Sequence, residues 1–214
     1  MADFPRDVYP VKRSMPSWPG GMISVGDSGK VTTRGGYRMG RVWSETYPGL
    51  QLSDQIVRAW LAKLNRLWNQ GIAFDLQHLS LATNKGLYTG TPANFQIDGA
   101  NQTGEVLNIK GATASIVGWA KAGDVIKLPG VLANLVVDVI ADANSDGAGK
   151  VALTISPPIF TTANSPPDST AIVVSGVKFR AILSEAPNLP ETDEAKDAAV
   201  DIVLGVQLKF REAF

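Results

Sequence analysis

The sequence predicts an α+β fold that is mainly β, with a parent domain of antiparallel strands and one packed helix, interrupted by a small inserted β-barrel or sandwich domain. Short β-branched segments, separated by turns rich in Gly, Pro, Asn and Asp, fill much of the 214-residue chain. One segment, residues 53–69, has clear helical periodicity. Strand-like segments lie on both sides of the central β region, so we expect the two ends of the chain to build one domain.

The first elements are predicted to be an arm and a strand pair. Residues 1–20 contain four prolines and lead into Gly20-Gly21. Because proline disrupts a helix, we expect an extended arm that lies on another surface. Residues 22–31 and 37–47 are strand-like, and Arg34-Gly35-Gly36 is the predicted hairpin turn between them.

Residues 53–69 form the one predicted helix. Ser53 is the expected N-cap, Asp54 suits the positive end of the helix dipole, and Gly71 stands where a left-handed stop is expected. The apolar side chains recur at spacings of three and four: Ile56, Val57, Trp60, Leu61, Leu64, Leu67 and Trp68. This pattern predicts a core helix packed against a sheet, and residues 72–76 add a further strand.

The inserted β domain is predicted to span residues 83–168, and residues 1–82 and 169–214 to form the parent domain. A turn-rich stretch at 83–102 marks the start of the insertion, and a Pro- and Ser-containing loop at 159–169 marks its end.

Within the insertion the turns and strands alternate. Strands are predicted at 105–109, 125–128, 135–140 and 151–155, the last two as a hairpin with a long loop.

After the insertion, three further segments have strand character. They are residues 171–174, 177–183 and 200–210. We expect all three to pair with the sheet begun at residues 22–47.

The insertion carries a recognisable series of motifs. Lys121-Ala122-Gly123-Asp124 (KAGD) opens a strand, a valine-rich strand and an Asp-Gly loop follow, and the next strand ends in Pro-Pro-Ile. This series resembles a module of tail proteins of long-tailed, siphovirus-like bacteriophages, particularly distal tail proteins. Residues 36–47, the helix after them and the closing strand at 208–213 are similar to the parent domain of that family. KAGD-type barrels also occur in phage coat proteins.

The resemblance implies a structural virion protein. Such a protein forms a hexameric adaptor ring between the tail tube and the tail tip or baseplate, with the inserted β domain facing outward. Its partners are further copies of itself, the tail tube protein and the tail tip or hub proteins, and DNA passes through the ring lumen. The implied location is the virion tail, assembled in the host cytoplasm. The alternative function is a carbohydrate or host-surface binding module of the tail tip, with Trp119 as the candidate exposed aromatic, although Val117 and Ala120 beside it favour a core position.

The charge distribution is compatible with a ring. The chain holds 20 basic and 20 acidic residues, which argues against a protein whose main task is to wrap nucleic acid. Residues 1–68 hold ten basic and five acidic residues, and residues 191–214 hold three basic and six acidic ones. Opposite regions of this kind suit head-to-tail contacts between copies, or else are two solvated faces.

One segment matches the opening of a calcium-binding loop. Asp142, Asn144, Asp146 and Gly147 fit the pattern D-x-N-x-D-G, in which alternate oxygens converge on the ion. Leu153 stands where the bidentate Glu is needed, so we predict a hairpin turn and no metal.

No catalytic set is predicted. The chain has no cysteine, and its single histidine, His78, lies in no nucleophile or metalloprotease motif. The acidic residues of 185–201 could supply a carboxylate pair, but their Pro-containing, highly charged context predicts a solvated connector. The glycine pairs fit no phosphate-binding pattern. We therefore expect no enzyme activity and no cofactor. With no apolar run near the roughly 18 residues that span a bilayer, we also expect no membrane partner.

Overall fold

The computed structural model describes residues 7–8, 10, 12–14, 22–25, 31–34, 41–47, 50–51, 54–77, 83–130, 135–187, 202–203 and 206–213. These residues confirm a mainly β fold with one helix, 14% helical and 36% strand, built around two curled antiparallel sheets of five strands each.

The chain divides into two compact units. The terminal unit contains residues 1–76 and 180–213, and the inserted unit contains residues 77–179. The inserted unit is therefore longer at both ends than the predicted domain 83–168.

The strands are numbered in chain order. They are β1 (Lys12–Arg13), β2 (Met22–Val25), β3 (Val31–Arg34), β4 (Val42–Thr46), β5 (Leu50–Gln51), β6 (Phe74–Leu76), β7 (Gln96–Ile97), β8 (Gly104–Lys110), β9 (Val125–Leu128), β10 (Leu135–Val139), β11 (Val151–Ile159), β12 (Phe179–Leu183), β13 (Ile202–Val203) and β14 (Gln207–Glu212). The helix α1 spans Gln55–Asn69 and lies between β5 and β6.

The main sheet of the terminal unit has the strand order β1-β4-β14-β12-β6. The C-terminal strands β14 and β12 lie between β4 and β6 of the N-terminal part, so the expected shared domain is built by direct pairing of β4 with β14. On the buried face, Trp43 lies opposite Phe210 and the rings stack with centroids 5.5 Å apart. Aromatic pairs of this kind stabilise a sheet beyond the area that they bury.

The predicted pairing of residues 22–31 with residues 37–47 is wrong. Strand β2 pairs with β3 in a separate two-stranded sheet, while β4 pairs with β1 and β14. The predicted turn residues Gly35 and Gly36 lie outside the described residues. Short strands with similar β propensity do not specify their partners, and the long-range pairing with β14 decides this one.

The described part of the proline-rich arm lies on the sheet of its own unit. In β1, Lys12 is paired with Thr46 and Arg13 with Glu45 of β4. Near its start, Asp7 forms an ion pair of 2.7 Å with Lys63 of α1. The arm thus extends the sheet by one short strand.

The helix α1 begins one residue later than predicted. The side chain of Asp54 accepts a hydrogen bond of 2.8 Å from the Ile56 backbone N–H, so Asp54 is the N-cap and the prediction of Ser53 is wrong. Gly71, with φ of 56°, provides the expected left-handed stop. Val57, Trp60, Leu64 and Leu67 are buried, and Tyr47 of the strand region packs on Trp60 at 4.7 Å. Ile56, placed on the buried stripe by its spacing, is 58% exposed.

The buried face of the main sheet also contains charged residues. Arg41 and Glu212 are both buried, and the Arg41 backbone N–H donates to the Glu212 carboxylate at 3.2 Å. The guanidinium lies 3.8 Å from the same carboxylate. Glu45, also buried, accepts a hydrogen bond of 2.8 Å from the Tyr47 hydroxyl. Each carboxylate is thus satisfied within the unit, as buried charges require.

The inserted unit contains a sheet with the order β7-β8-β11-β10-β9, and the segment 170–173 closes it into a barrel. The Ile97 N–H donates to the Thr170 carbonyl, and Lys127 and Val173 exchange two backbone hydrogen bonds. The segment therefore joins both edge strands, β7 and β9, which removes their free edges.

The closing segment corrects one predicted pairing. Residues 171–174 were expected to pair with the terminal sheet, but Ile172 and Val174 are part of the barrel core. Of the two segments predicted directly after the insertion, 171–174 and 177–183, the second joins the terminal sheet, as β12. This difference explains why the inserted unit extends to residue 179 and not to 168.

The predicted hairpin of the insertion is confirmed. Strands β10 and β11 pair antiparallel, with Val139 opposite Ile155, and β9 and β8 flank them. The register of β11 with β8 shifts between Thr154 and Ile159. Pro157 and Pro158 lie in that interval and cannot donate to the ladder.

Candidate functional site

The loop that resembles a calcium site uses its oxygens to hold the backbone. Asp142 accepts from the Ala122 N–H at 3.0 Å and from the Lys121 ammonium at 2.6 Å. Asn144 accepts from the Gly118 N–H at 2.7 Å. Asp146 accepts from the N–H groups of Ala148 and Lys150, each at 2.8 Å. The Asp142 oxygens bind residues 121–122, the Asn144 oxygen binds Gly118, and an Asp146 oxygen binds residues 148 and 150. These oxygens therefore do not converge on one point.

The same contacts shift the ionisation of the two carboxylates. The hydrogen bond from Lys121 lowers the pKa of Asp142, and the backbone hydrogen bonds from Lys150 and Ala148 lower that of Asp146. Both carboxylates are solvent-exposed, so the energies are modest. Their arrangement is that of a turn stabilised by Asp side chains.

Among the described residues of the inserted unit, the buried group with the most extensive hydrogen bonding is Asp124, the last residue of the KAGD turn. It is 2% exposed. Its carboxylate accepts from the N–H groups of Lys85 (2.6 Å), Gly86 (2.9 Å) and Lys121 (2.9 Å), and from the Tyr88 hydroxyl (2.8 Å). One carboxylate thus satisfies four donors from two segments that are far apart in sequence.

Asn84 completes this arrangement. Its side-chain amide donates to the Val125 and Val174 carbonyls and accepts from the Val125 N–H, each at 2.8 Å. We refer to Asn84, Gly86, Tyr88 and Asp124 as the closing cluster. Asn84 joins the incoming chain, the start of β9 and the outgoing chain near residue 174.

The backbone of the closing cluster passes too close to its neighbours for most side chains. A Cβ atom at Gly86 would lie 2.5 Å from the Trp119 carbonyl oxygen and 2.7 Å from the Ala120 Cα. Glycine is therefore required by close approach of two backbone segments.

The closing cluster has little capacity for acid–base chemistry. All four donors converge on Asp124, and burial, followed by the hydrogen bond to Asp124, raises the pKa of Tyr88. A tyrosine with a raised pKa stays neutral and serves as a donor. The arrangement holds the barrel closed, and it leaves Asp124 without an open side for a substrate.

Trp119, the aromatic proposed for ligand binding, is fully buried in the barrel core. Its indole N–H donates to the Thr89 carbonyl at 3.1 Å, and Tyr88 and Phe95 pack on its ring at 4.7 and 5.1 Å. This contact set makes Trp119 a core residue, as its neighbours indicated.

A second polar group lies at the surface of the barrel. Asp168 accepts from the Gly99 N–H at 2.8 Å and from the Lys110 ammonium at 3.1 Å. The backbone hydrogen bond from Gly99, then the Lys110 and Ser169 side chains, lowers the pKa of Asp168 to about 2. The group fastens the 98–99 turn to the closing segment.

The other predicted chemical candidates lie mostly outside the described residues. His78 and the acidic residues 191–201 lie outside the described residues. Glu185, at the start of that acidic connector, forms an exposed ion pair of 2.8 Å with Lys209. Among the described residues, no group of three or more His, Asp or Glu side chains could hold a metal ion.

The exposed surface of the inserted unit contains several large apolar side chains. They are Leu87, Val106, Val117, Ile140 and Phe160. Leu87 and Val117 are close in the fold, since the Leu87 N–H donates to the Gly118 carbonyl at 3.2 Å.

Asn84, Gly86 and Tyr88 were not predicted from the sequence as site residues. They lie in the stretch 83–102, which was interpreted as the turn-rich start of the insertion, and their partners are 36 to 90 residues away in sequence. The residue types Asn and Gly signal a turn, but nothing local specifies which carboxylate or carbonyl completes it.

No protein-family model matches the sequence, and no curated protein is significantly similar to it. No helix within the described ranges has the length and apolar character needed to cross a bilayer.

Proposed function

We propose that this chain is a structural subunit of a bacteriophage tail, which forms the adaptor ring between the tail tube and the tail tip or baseplate. The observation that carries the proposal is the nested organisation: one β unit is made from both ends of the chain and a second β unit is inserted into it. The KAGD turn and its following strands give the resemblance on which the family assignment rests.

The polar chemistry of the described residues supports a structural role. Asp124, Asp142 and Asp146 accept hydrogen bonds from backbone groups, which fixes loops in place. Catalytic carboxylates need an open side toward a substrate, and a pKa suited to proton transfer. Asp124, Asp142 and Asp146 instead hold loops of the fold in place.

The alternative function, a carbohydrate-binding module, has weaker support. Sugar binding of the expected kind needs an exposed aromatic platform, and Trp119 is buried. No other observation favours a sugar ligand.

The proposal is tested by locating the subunit in the virion and determining its stoichiometry. We expect particle reconstruction to place a ring of six copies at the junction of the tail tube and tail tip. A solution measurement on the purified protein checks the same stoichiometry, with a particle six times the 22.7 kDa subunit mass. A ring of another symmetry at that position would exclude the hexamer, and a position outside the tail would exclude the function.

A further inference from the structure

Among the described residues, backbone pairs and serine hydrogen bonds attach the arm strand β1 to its sheet. Beyond the two residue pairs with β4, the Ser14 N–H donates to the Ser44 carbonyl at 2.9 Å, and the Ser44 N–H donates to Ser14 Oγ at 2.7 Å. The ion pair between Asp7 and Lys63 is solvent-exposed on both sides. Exposed ion pairs contribute roughly 0–1 kcal/mol, so opening of the arm meets little resistance from this contact.

Departure of the arm would expose the edge of β4. In the main sheet, β1 is an edge strand and β4 is its hydrogen-bonded neighbour. A strand edge with unpaired N–H and C=O groups binds another strand readily. Any segment that replaces β1 must satisfy the same backbone groups, and an identical arm does so with identical contacts.

The connection after the arm has a suitable composition for exchange. Residues 15–21 include Pro16, Pro19 and Gly20-Gly21. Exchange of an identical element between copies preserves its contacts and is therefore a low-cost route to association.

We propose that strand β1 (Lys12–Arg13) of one copy pairs with β4 of the next copy. This inference rests on the proposed ring and identifies the contact that joins its subunits. The donated arm and the accepting edge are different surfaces, so the contact is head-to-tail. Head-to-tail contacts produce a closed ring when the rotation between copies closes.

The partner is thus a second copy of this chain, recognised by strand pairing at β4 and by charge at α1. The exchanged arm carries Asp7 to Lys63 of the neighbour. In the pairing, Lys12 and Arg13 lie opposite Thr46 and Glu45, as they do within one chain.

Engineered thiols test the exchange directly, because the chain contains no cysteine. Ser14 Oγ and Ser44 Oγ are 3.3 Å apart, so cysteines at these positions lie within reach of a disulfide. The variants Ser14→Cys and Ser44→Cys carry different affinity tags, are co-expressed as full chains, and are oxidised with copper–phenanthroline. Ser→Cys is nearly isosteric, and circular dichroism checks that each variant is folded.

We expect a disulfide-linked dimer that carries both tags. Its yield should exceed that of a control pair, Ser14→Cys with Ala59→Cys on the exposed face of α1, by about tenfold or more, because an ordered contact raises the effective concentration of the thiols. The double variant Ser14→Cys/Ser44→Cys should give covalent multimers on a denaturing, non-reducing gel.

One outcome of this experiment would overturn the exchange. If the double variant gives only a monomer with an internal disulfide, and the mixed variants give no dimer above the control, the arm stays on its own chain and the inference is overturned. A six-membered ring seen by imaging together with that result would leave the proposed function intact. A two-tag dimer without a ring would support exchange and contradict the proposed assembly.

Discussion

The Asp124 carboxylate holds two distant segments of the inserted barrel together. Its carboxylate is buried and receives four hydrogen bonds, three of them from backbone N–H groups. Hydrogen bonds to a charged acceptor are stronger than neutral ones, and a buried donor that loses its acceptor retains the full cost of desolvation. Removing acceptor capacity at this position should therefore affect several segments at once.

We expect Asp124→Asn to lower the free energy of unfolding of the barrel by roughly 2–4 kcal/mol, because the new amide places donors against the donors already present. The measurement is chemical denaturation followed by circular dichroism. Glu105→Gln, an exposed carboxylate on β8, is the matched control and should change stability by less than about 0.5 kcal/mol. Equal effects of the two substitutions would show that the Asp124 hydrogen bonds contribute nothing specific.

The glycines of the 142–150 loop differ in what they contribute. Gly149 has φ of 72°, and a Cβ there would lie 2.2 Å from the Ala112 carbonyl oxygen. Gly147 has no positive φ and open space around its Cα. Gly149 is therefore the position of this loop that requires glycine, and Gly147 is not.

Gly149→Ala should destabilise the barrel by at least about 1–2 kcal/mol, from the left-handed backbone alone, with a further loss from the close contact. Gly147→Ala should lie within about 0.5 kcal/mol of the wild type. Melting temperatures of the two variants make the comparison. A larger loss for Gly147→Ala would mean that the loop adopts a different backbone from the one described.

Asp168 gives the inserted unit a pH dependence of known sign. Its pKa in the folded state is about 2, below the ordinary value of 3.8. A depressed folded pKa contributes stability that is present above about pH 4 and is lost as the pH falls toward 2. Asp168→Asn should therefore be less stable than the wild type at pH 6, and the difference should shrink by pH 2.5. Urea denaturation midpoints at the two pH values provide the measurement, and a difference that is independent of pH would contradict the assignment.

At the scale of elements, two adjacent residues could each cap the N-terminus of helix α1. Ser53 and Asp54 are both good N-cap residues, and the sequence offers no way to choose between them by type. The structure places Asp54 at the cap through its bond to the Ile56 N–H. Because Asp54 directly precedes the first helical residue, its carboxylate also lies at the positive end of the helix dipole.

Asp54→Ala should lower the free energy of unfolding by about 1 kcal/mol, the usual contribution of an N-cap. Thermal unfolding monitored at a helical wavelength gives the change. Ser53→Ala is the comparison, since it removes the residue that we predicted as the cap from sequence. A larger effect of Ser53→Ala would return the cap to Ser53.

Much of the element content was predictable, and most of the pairing was not. The β-branched residues of β8 and β9, and the spacing of the α1 apolar residues, follow directly from residue type, so these elements were found near their observed bounds. The segment predicted as one strand at 200–210 instead contains β13 and the first part of β14. The partners of β2 and of residues 171–174 were not found, because strand pairing depends on contacts that are distant in sequence. The closing cluster was missed for the same reason.

At the scale of the whole molecule, the two units differ in how their chains are arranged. The inserted unit is one continuous segment, 77–179, which is closed by its own last residues. All the buried residues of its hydrophobic core come from this segment, from Phe95 to Val174 in sequence. This is the arrangement expected of a domain that folds alone.

A fragment of residues 77–179 should therefore unfold cooperatively, with a β-type circular dichroism spectrum. In the full chain, a short Gly and Ser linker in place of 77–179 should leave the terminal sheet folded, because the cut ends lie on neighbouring strands β6 and β12 and loop closure costs little. Replacing only residues 90–166 would leave residues 83–89 and 167–179 without their barrel partners. A fragment that melts without a sigmoidal transition would show that the barrel needs the terminal unit.

The pairing of β4 with β14 also sets the order in which the chain acquires its structure. Arg41 and Glu212, which are bonded to each other at the end of this pair, are separated by 171 residues. On the ribosome, β4 emerges long before its partner, whereas every strand of the barrel has its partners within the same 103-residue stretch from 77 to 179. Barrel formation can therefore precede the terminal sheet during translation, since domains generally fold as units as they are synthesised. Once folded, the barrel shortens the flexible chain that must close to bring β14 to β4, and so lowers the entropic barrier to that last step.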